Sequence, residues 1–128
     1  MPGRYLLDTN AAIAALEERI TLPQGSSDVE VFLSYVALGE LYFGAFKSSR
    51  VEANLERIRR LAATCPAVPI NDETARVYGR LKGELRRKGR PIPDNDLWIA
   101  ASAVQHDLVL LARDAHFDEI EALRHVAW

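Results

Sequence analysis

Four carboxylates in this sequence stand where chemistry can use them. Asp8 follows the apolar run Arg4 to Leu7, Glu40 lies one turn into a helical segment starting near Ala37, Asp96 falls in the first turn of another helix, and Asp114 stands two residues beyond the apolar run Leu108 to Ala112. Acids with no His or Cys among them make a hard oxygen site, suited to Mg2+ or Mn2+ rather than to zinc. Left without a cation, such a cluster repels itself, and at least one member takes up a proton. Each acid also has a plainer role, because a carboxylate at a helix N-terminus caps free amides and opposes the helix dipole for about 0.3–1 kcal/mol. Asp72 and Asp94 each open a helix and are read as caps, and Asp8 could be one too. Glu40 fits that role less well. Beside Leu38, Leu41 and Tyr42 it would sit against an apolar face, and a buried unpaired carboxylate costs several kcal/mol unless a cation meets it.

The elements that must position these acids alternate. The runs Arg4 to Leu7, Val31 to Val36, Val68 to Ile70 and Leu108 to Ala112 read as buried strands. Helical spacing predicts helices over Thr9 to Arg19, Ala37 to Lys47 and Val51 to Ala63, and another starting at Asn71 or Asp72 with Ala75, Tyr78, Leu81 and Leu85 as its inner stripe. The stretch TLPQGSSD, Thr21 to Asp28, reads as a loop, and GRPIP, Gly89 to Pro93, breaks the fourth helix. The helix from Asp94 to about His106 is apolar on nearly every face, which makes it central. A short helix follows Asp114. Strands alternating with helices predict an α/β sandwich around a mainly parallel sheet, whose ligand site lies beyond the carboxyl ends of the strands.

With 128 residues and 48% hydrophobic content, the chain is expected to form one folded domain. The N-terminus fits neither a signal peptide nor an anchor, no apolar stretch approaches the ~20 residues of a membrane span, and a cytoplasmic location is expected. Cys65 is the only cysteine, so no intrachain disulfide is possible, and its apolar neighbours predict an inert thiol. His106, His116 and His125 lack metal-binding spacing, and His116 is read as a surface or capping residue. No GxxxxGK[ST], GxGxxG or GxSxG motif supports a nucleotide, dinucleotide or serine-hydrolase reading. The net charge of −2 conceals a division. Residues 47–90 hold 12 of the 16 Lys+Arg and five acids, a charge of +7, while the remainder carries −9 and all four candidate acids. An acidic pocket beside a basic pair of helices suits a phosphate-bearing partner.

Leu6-Leu7-Asp8-Thr9-Asn10, Leu38-Gly39-Glu40-Leu41-Tyr42-Phe43-Gly44, Asp94-Asn95-Asp96-Leu97-Trp98-Ile99-Ala100-Ala101 and Ala112-Arg113-Asp114-Ala115-His116-Phe117, in this order and spacing, resemble the PIN domain, specifically VapC-type toxins of toxin–antitoxin pairs. The resemblance spans essentially the whole chain and implies a PIN-like three-layer sandwich. It also implies a Mg2+- or Mn2+-dependent ribonuclease, a homodimer, and neutralisation by a VapB-type antitoxin through which DNA is met only indirectly. Carried over residue by residue, Asp8, Glu40, Asp96 and Asp114 match the family's acids, and Thr9 its hydroxyl residue beside the first of them. Asp94 departs from the commoner pattern, which has a non-acidic residue there, and so competes with Asp96 as the third ligand.

In such an enzyme one or two metal ions held by Asp8, Asp96 and Asp114 would orient a water for attack on the phosphodiester, with Glu40 ligating through water or accepting the proton. Thr9 would hydrogen-bond a metal-bound water or the Asp8 carboxylate, or simply start its helix. Lys47, Arg50, Arg86, Arg87, Lys88, Arg90 and Arg113 are candidate phosphate contacts or solvated helix faces; Tyr42 and Phe43 could stack a base but at helical spacing read first as core, as does Trp98. Two rivals differ in class. A non-cleaving PIN-type module that binds RNA or protein would keep the acids without turnover. A phospho-receiver domain would want an acidic pair after the first strand, an acid after a middle strand and a lysine after the last, and this sequence lacks all three.

Overall fold

The computed structural model describes residues 3–22 and 28–128. Five parallel strands form one sheet in the order β3-β2-β1-β4-β5: β1 (Gly3–Leu7), β2 (Val29–Ser34), β3 (Ala67–Val68), β4 (Val109–Leu111) and β5 (His125–Val126). Five α-helices connect them: α1 (Thr9–Leu16), α2 (Tyr35–Phe46), α3 (Val51–Thr64), α4 (Asp72–Lys88) and α5 (Asp94–Gln105), and a 3₁₀ turn, Ala115–Glu119, follows β4. Parallel strands need crossovers, and the helices supply them.

Strand side chains alternate between the two faces, so consecutive apolar residues serve different cores. Leu6, Leu110 and Val68 face Val77, Leu81 and Leu85 of α4 and Leu97 and Ile99 of α5, with Phe117. Leu7 and Leu33 face Ala11 and Ala12 of α1, Leu38 and Leu41 of α2, and Ile58 and Leu61 of α3. This is the α/β sandwich around a parallel sheet expected from the alternation, in the three layers that the resemblance implied. Among the described residues no helix is long and apolar enough to cross a membrane. Cys65 is fully buried in the second core, and burial pushes its thiol up to about 11, which leaves it protonated and unreactive at neutral pH.

Boundaries moved where caps act. The change from β2 to α2 comes at Ser34, whose hydroxyl accepts from Val36 N at 3.1 Å, two residues earlier than the apolar run implied. α1 ends at Leu16 rather than Arg19, and Glu18 turns the chain away at φ +59°. Asn71, not Asp72, caps α4 in a capping box with the buried Thr74. Gly89 closes that helix at φ +68°, where a side chain would be strained. β3 pairs at Ala67–Val68, short of Ile70, and β5, too brief to read from sequence, extends the sheet beyond β4. The expected Thr21 to Asp28 loop lies mostly outside the described residues.

Candidate active site

β1 occupies the switch point of the sheet, because the chain leaves it towards β2 and later returns to place β4 on its other flank. At such a point the connections diverge and open a crevice beyond the strand ends. Asp8 is the first residue past β1. Its amide donates to Leu111 O at 3.2 Å, which ties the ends of β1 and β4 together. Its Oδ1 accepts from Ala11 N at 2.7 Å and caps α1, so the plainer role is filled as well. The residue is only 3% exposed.

Asp114 follows β4 and caps the 3₁₀ turn. Asp96 is presented from the first turn of α5, with its side chain 26% exposed. Between them stands His116, with Nδ1 3.1 Å from Asp114 Oδ1 and Nε2 3.1 Å from Asp96 Oδ2. The ring packs edge-on against Phe117 with centroids 4.6 Å apart. His116 therefore stands within the acidic cluster and is not the surface or capping histidine that the sequence suggests. No local spacing could reveal this, because its partner Asp96 belongs to another helix.

Glu40 reaches the cluster from α2. It is half-buried rather than sealed among apolar side chains, and two neutral donors hold its Oε1: Thr9 Oγ1 at 3.0 Å and Asn95 Nδ2 at 3.2 Å. Thr9 thus serves Glu40 and not Asp8. Asn95 was not singled out in the sequence; its position beside Asp96 was a clue, but helical spacing alone did not say that it turns towards α2. Asp94 faces the other way, its Oδ1 accepting from Tyr78 Oη at 3.0 Å and Lys82 Nζ at 3.4 Å on α4. That separates it from the cluster and leaves Asp96 as the acid α5 contributes.

Electrostatics register the convergence. Burial, reinforced by Asp96 and Asp114, raises the Asp8 carboxyl to about 6, while the Ala11 amide and His116 oppose the shift. Burial also raises Asp96; His116 opposes this, and Asp114 and Glu40 add to it. Among the described residues no three acids or histidines are already gathered as a coordination sphere. The donor chemistry nonetheless fits a hard divalent cation, since an almost fully buried carboxylate with a single backbone hydrogen bond, in the field of two more, lacks positive charge.

The basic residues divide. Arg86, Arg87 and Lys88 form the last turn of α4, and only the five-residue segment 89–93 separates them from the first turn of α5, so they lie at the same end of the molecule as Asp96. Lys88 is engaged with Glu119, and Arg113 stacks on Trp128 at 3.7 Å, while Arg86, Arg87 and Arg90 make no ion pair among the described residues. Two aromatics read as core are not: Phe43 is 66% and Tyr42 37% exposed on α2, with Lys47 Nζ 4.8 Å from the Phe43 ring. Trp98 is half-buried against Tyr78.

The PIN domain family model matches residues 5–123 of this small α/β sandwich. The chain belongs to the PIN domain family. Within it, the chain is similar to ribonuclease VapC2 of Haemophilus influenzae, 30% identical over 129 residues covering 98% of each protein. It is also similar to the tRNA(fMet)-specific endonuclease VapC of Shigella flexneri, 31% identical over 133 residues and 98% of each. In three dimensions it matches the crystal structure of VapBC2 from Rickettsia felis bound to a DNA fragment from their promoter, with a TM-score of 0.86, 25% identity and 98% of both chains covered.

Proposed function

We propose that this chain is a Mg2+- or Mn2+-dependent endoribonuclease of the VapC type, the toxin of a pair completed by a VapB-type antitoxin. The observation that carries the reading is the meeting of Asp8, Glu40, Asp96 and Asp114 at the ends of β1 and β4, with the basic last turn of α4 at the same end. Asp8, Asp96 and Asp114 would hold the metal, which would supply activation of water and relief of charge on the phosphate.

The chain's own residues do the rest. Thr9 and Asn95 fix Oε1 of Glu40, which leaves Oε2 to accept the proton of the attacking water. Asp8 is locked by its own amide and by Ala11, so its carboxylate needs little reorganisation to bind. Arg86, Arg87 and Arg90 contact RNA phosphates beyond the acidic crevice. Residues 1–128 work as one domain, in the cytoplasm, as a homodimer that meets DNA only through its antitoxin.

Incubating the purified protein with a panel of RNAs, with Mg2+, Mn2+ or EDTA, tests this. Cleavage with metal, abolished by EDTA and by Asp8→Asn, is the expected result. Undiminished cleavage by Asp8→Asn overturns the mechanism, and RNA binding without cleavage under every metal condition identifies a non-cleaving module instead.

A further inference from the structure

The first turn of α5 has a difficult task. It carries Asn95 and Asp96, is entered from the GRPIP segment, and has Pro93 at its N-cap, which offers no side-chain hydrogen bond to the free amides. Uncapped helix ends fray, because their first amides have no intrahelical partner. A carboxylate that must meet three others from separate elements cannot tolerate that, since displacement of a reacting group by about 1 Å costs on the order of a hundredfold in rate.

What holds the turn lies outside the acidic crevice. Tyr78 of α4 stacks on Trp98 with ring centroids 3.9 Å apart and planes 11° from parallel. Its hydroxyl donates to Asp94 Oδ1 at 3.0 Å and accepts from Lys82 Nζ at 3.1 Å. Lys82 closes the triangle, 3.4 Å from the same carboxylate oxygen, and its ammonium lies 5.3 Å from the Tyr78 ring centroid. Asp94 and Trp98 are four residues apart, one helical turn, so a single side chain of α4 grips α5 at two successive levels. On the other side Asn95 ties the same turn to Glu40 at 3.2 Å. Asp96 sits between these two attachments.

We propose that Tyr78 is a positioning residue for the active site: through its stack on Trp98 and its bond to Asp94 it fixes the uncapped first turn of α5 and with it the Asp96 carboxylate. The inference rests on the metal-dependent reading above. It reaches a residue with no contact to the acidic cluster, and it gives Asp94 a task other than ligation. Tyr78 is the informative residue to change, because its replacement leaves every charge near the cluster in place, whereas changing Asp94 does not.

The test uses the full chain with Tyr78→Phe, Tyr78→Ala and Asp8→Asn, and reads three quantities. These are amide hydrogen exchange in residues 94–98, Mn2+ affinity measured calorimetrically on metal-free protein, and RNA cleavage. Tyr78→Ala is expected to speed exchange in that turn, to weaken Mn2+ roughly ten- to a hundredfold, and to lower kcat with KM for RNA little changed, as loss of a group that orients ligands does. Tyr78→Phe keeps the stack and loses the bond, so it falls between Tyr78→Ala and the parent. A purely structural role would lower the melting temperature of both variants while leaving Mn2+ affinity and kcat of the folded protein at parental values, and that result overturns the proposal. If Tyr78→Ala does not fold, Tyr78→Phe decides: slower turnover and weaker Mn2+ support the proposal, parental values overturn it. Failure of the underlying reading looks different, since the parent then shows no Mn2+ binding that Asp8→Asn removes, and unchanged exchange in residues 94–98 of the folded variants overturns the positioning role on its own.

Discussion

Asp8 combines three roles in one side chain: it ends β1, caps α1 and faces the acidic cluster. Its carboxyl titrates near 6 against an ordinary value of 3.8, so the folded chain holds the proton more tightly than the unfolded chain. Between about pH 4 and 6 the unfolded state is the more ionised, and stability of the metal-free protein therefore falls as pH rises through this window, by on the order of 3 kcal/mol in all. Asp8→Asn removes that slope and keeps the cap, because Asn caps as well as Asp. Urea unfolding of the metal-free proteins should show the variant more stable than the parent at pH 7 and nearly equal to it at pH 4. The same substitution should abolish the rise in melting temperature that Mg2+ or Mn2+ produces in the parent. It should also lower cleavage at least ~100-fold, about 3 kcal/mol of transition-state stabilisation. Since the bound carboxylate must be deprotonated, metal affinity of the parent should climb with pH across the same interval, as calorimetric titration at pH 5 and 7 would reveal. Asp96→Ala is expected to match the activity loss of Asp8→Asn, and Asp94→Ala to be milder; equal losses in a cleavage assay would make Asp94 a ligand.

At the scale of elements, helix ends do the positioning. α1 and the 3₁₀ turn start on acids of the site, so a capping bond and a functional carboxylate share one residue at each. α4 starts far from the site on an Asn71–Thr74 capping box, with Thr74 fully buried and also bonded to Gln105 of α5. Asn71→Ala should cost about 1 kcal/mol by thermal or urea unfolding while leaving metal affinity unchanged, because the contacts of α4 with the turn that carries Asp96 are made by Tyr78 and Lys82, beyond the capped first turn. Ser34 illustrates a signal present in the sequence but outweighed there: the apolar run continues past it, yet its hydroxyl turns the strand into α2, from which Glu40 points at Thr9.

The whole molecule separates charge by position. Acids collect at the strand ends on the switch-point side, and the excess of cations lies on α3 and α4, whose last basic turn adjoins the start of α5. RNA binding through Arg86, Arg87 and Arg90 should be strongly salt-dependent. Replacing all three with Gln should flatten the slope of log K against log salt by up to about 2, at roughly 0.7 for each phosphate no longer neutralised, with little change in the melting temperature. A slope unaltered in filter-binding or fluorescence titrations would place the phosphate path elsewhere on the surface.

The sequence by itself determined the layered α/β architecture, because strand and helix periodicities and the apolar α5 follow from side-chain spacing that folding does not rearrange. It also marked the four acids, since each stands at a junction between elements, and their motifs carried the resemblance to PIN domains. What it could not contain were contacts between residues distant in the chain. His116 and Asn95 joined the site, Asp94 turned to Tyr78, and Phe43 remained exposed, because each outcome depends on which side of a helix meets which neighbour once the sheet order is set. Such orientations are settled by packing of the two cores, and only the tertiary structure decides them.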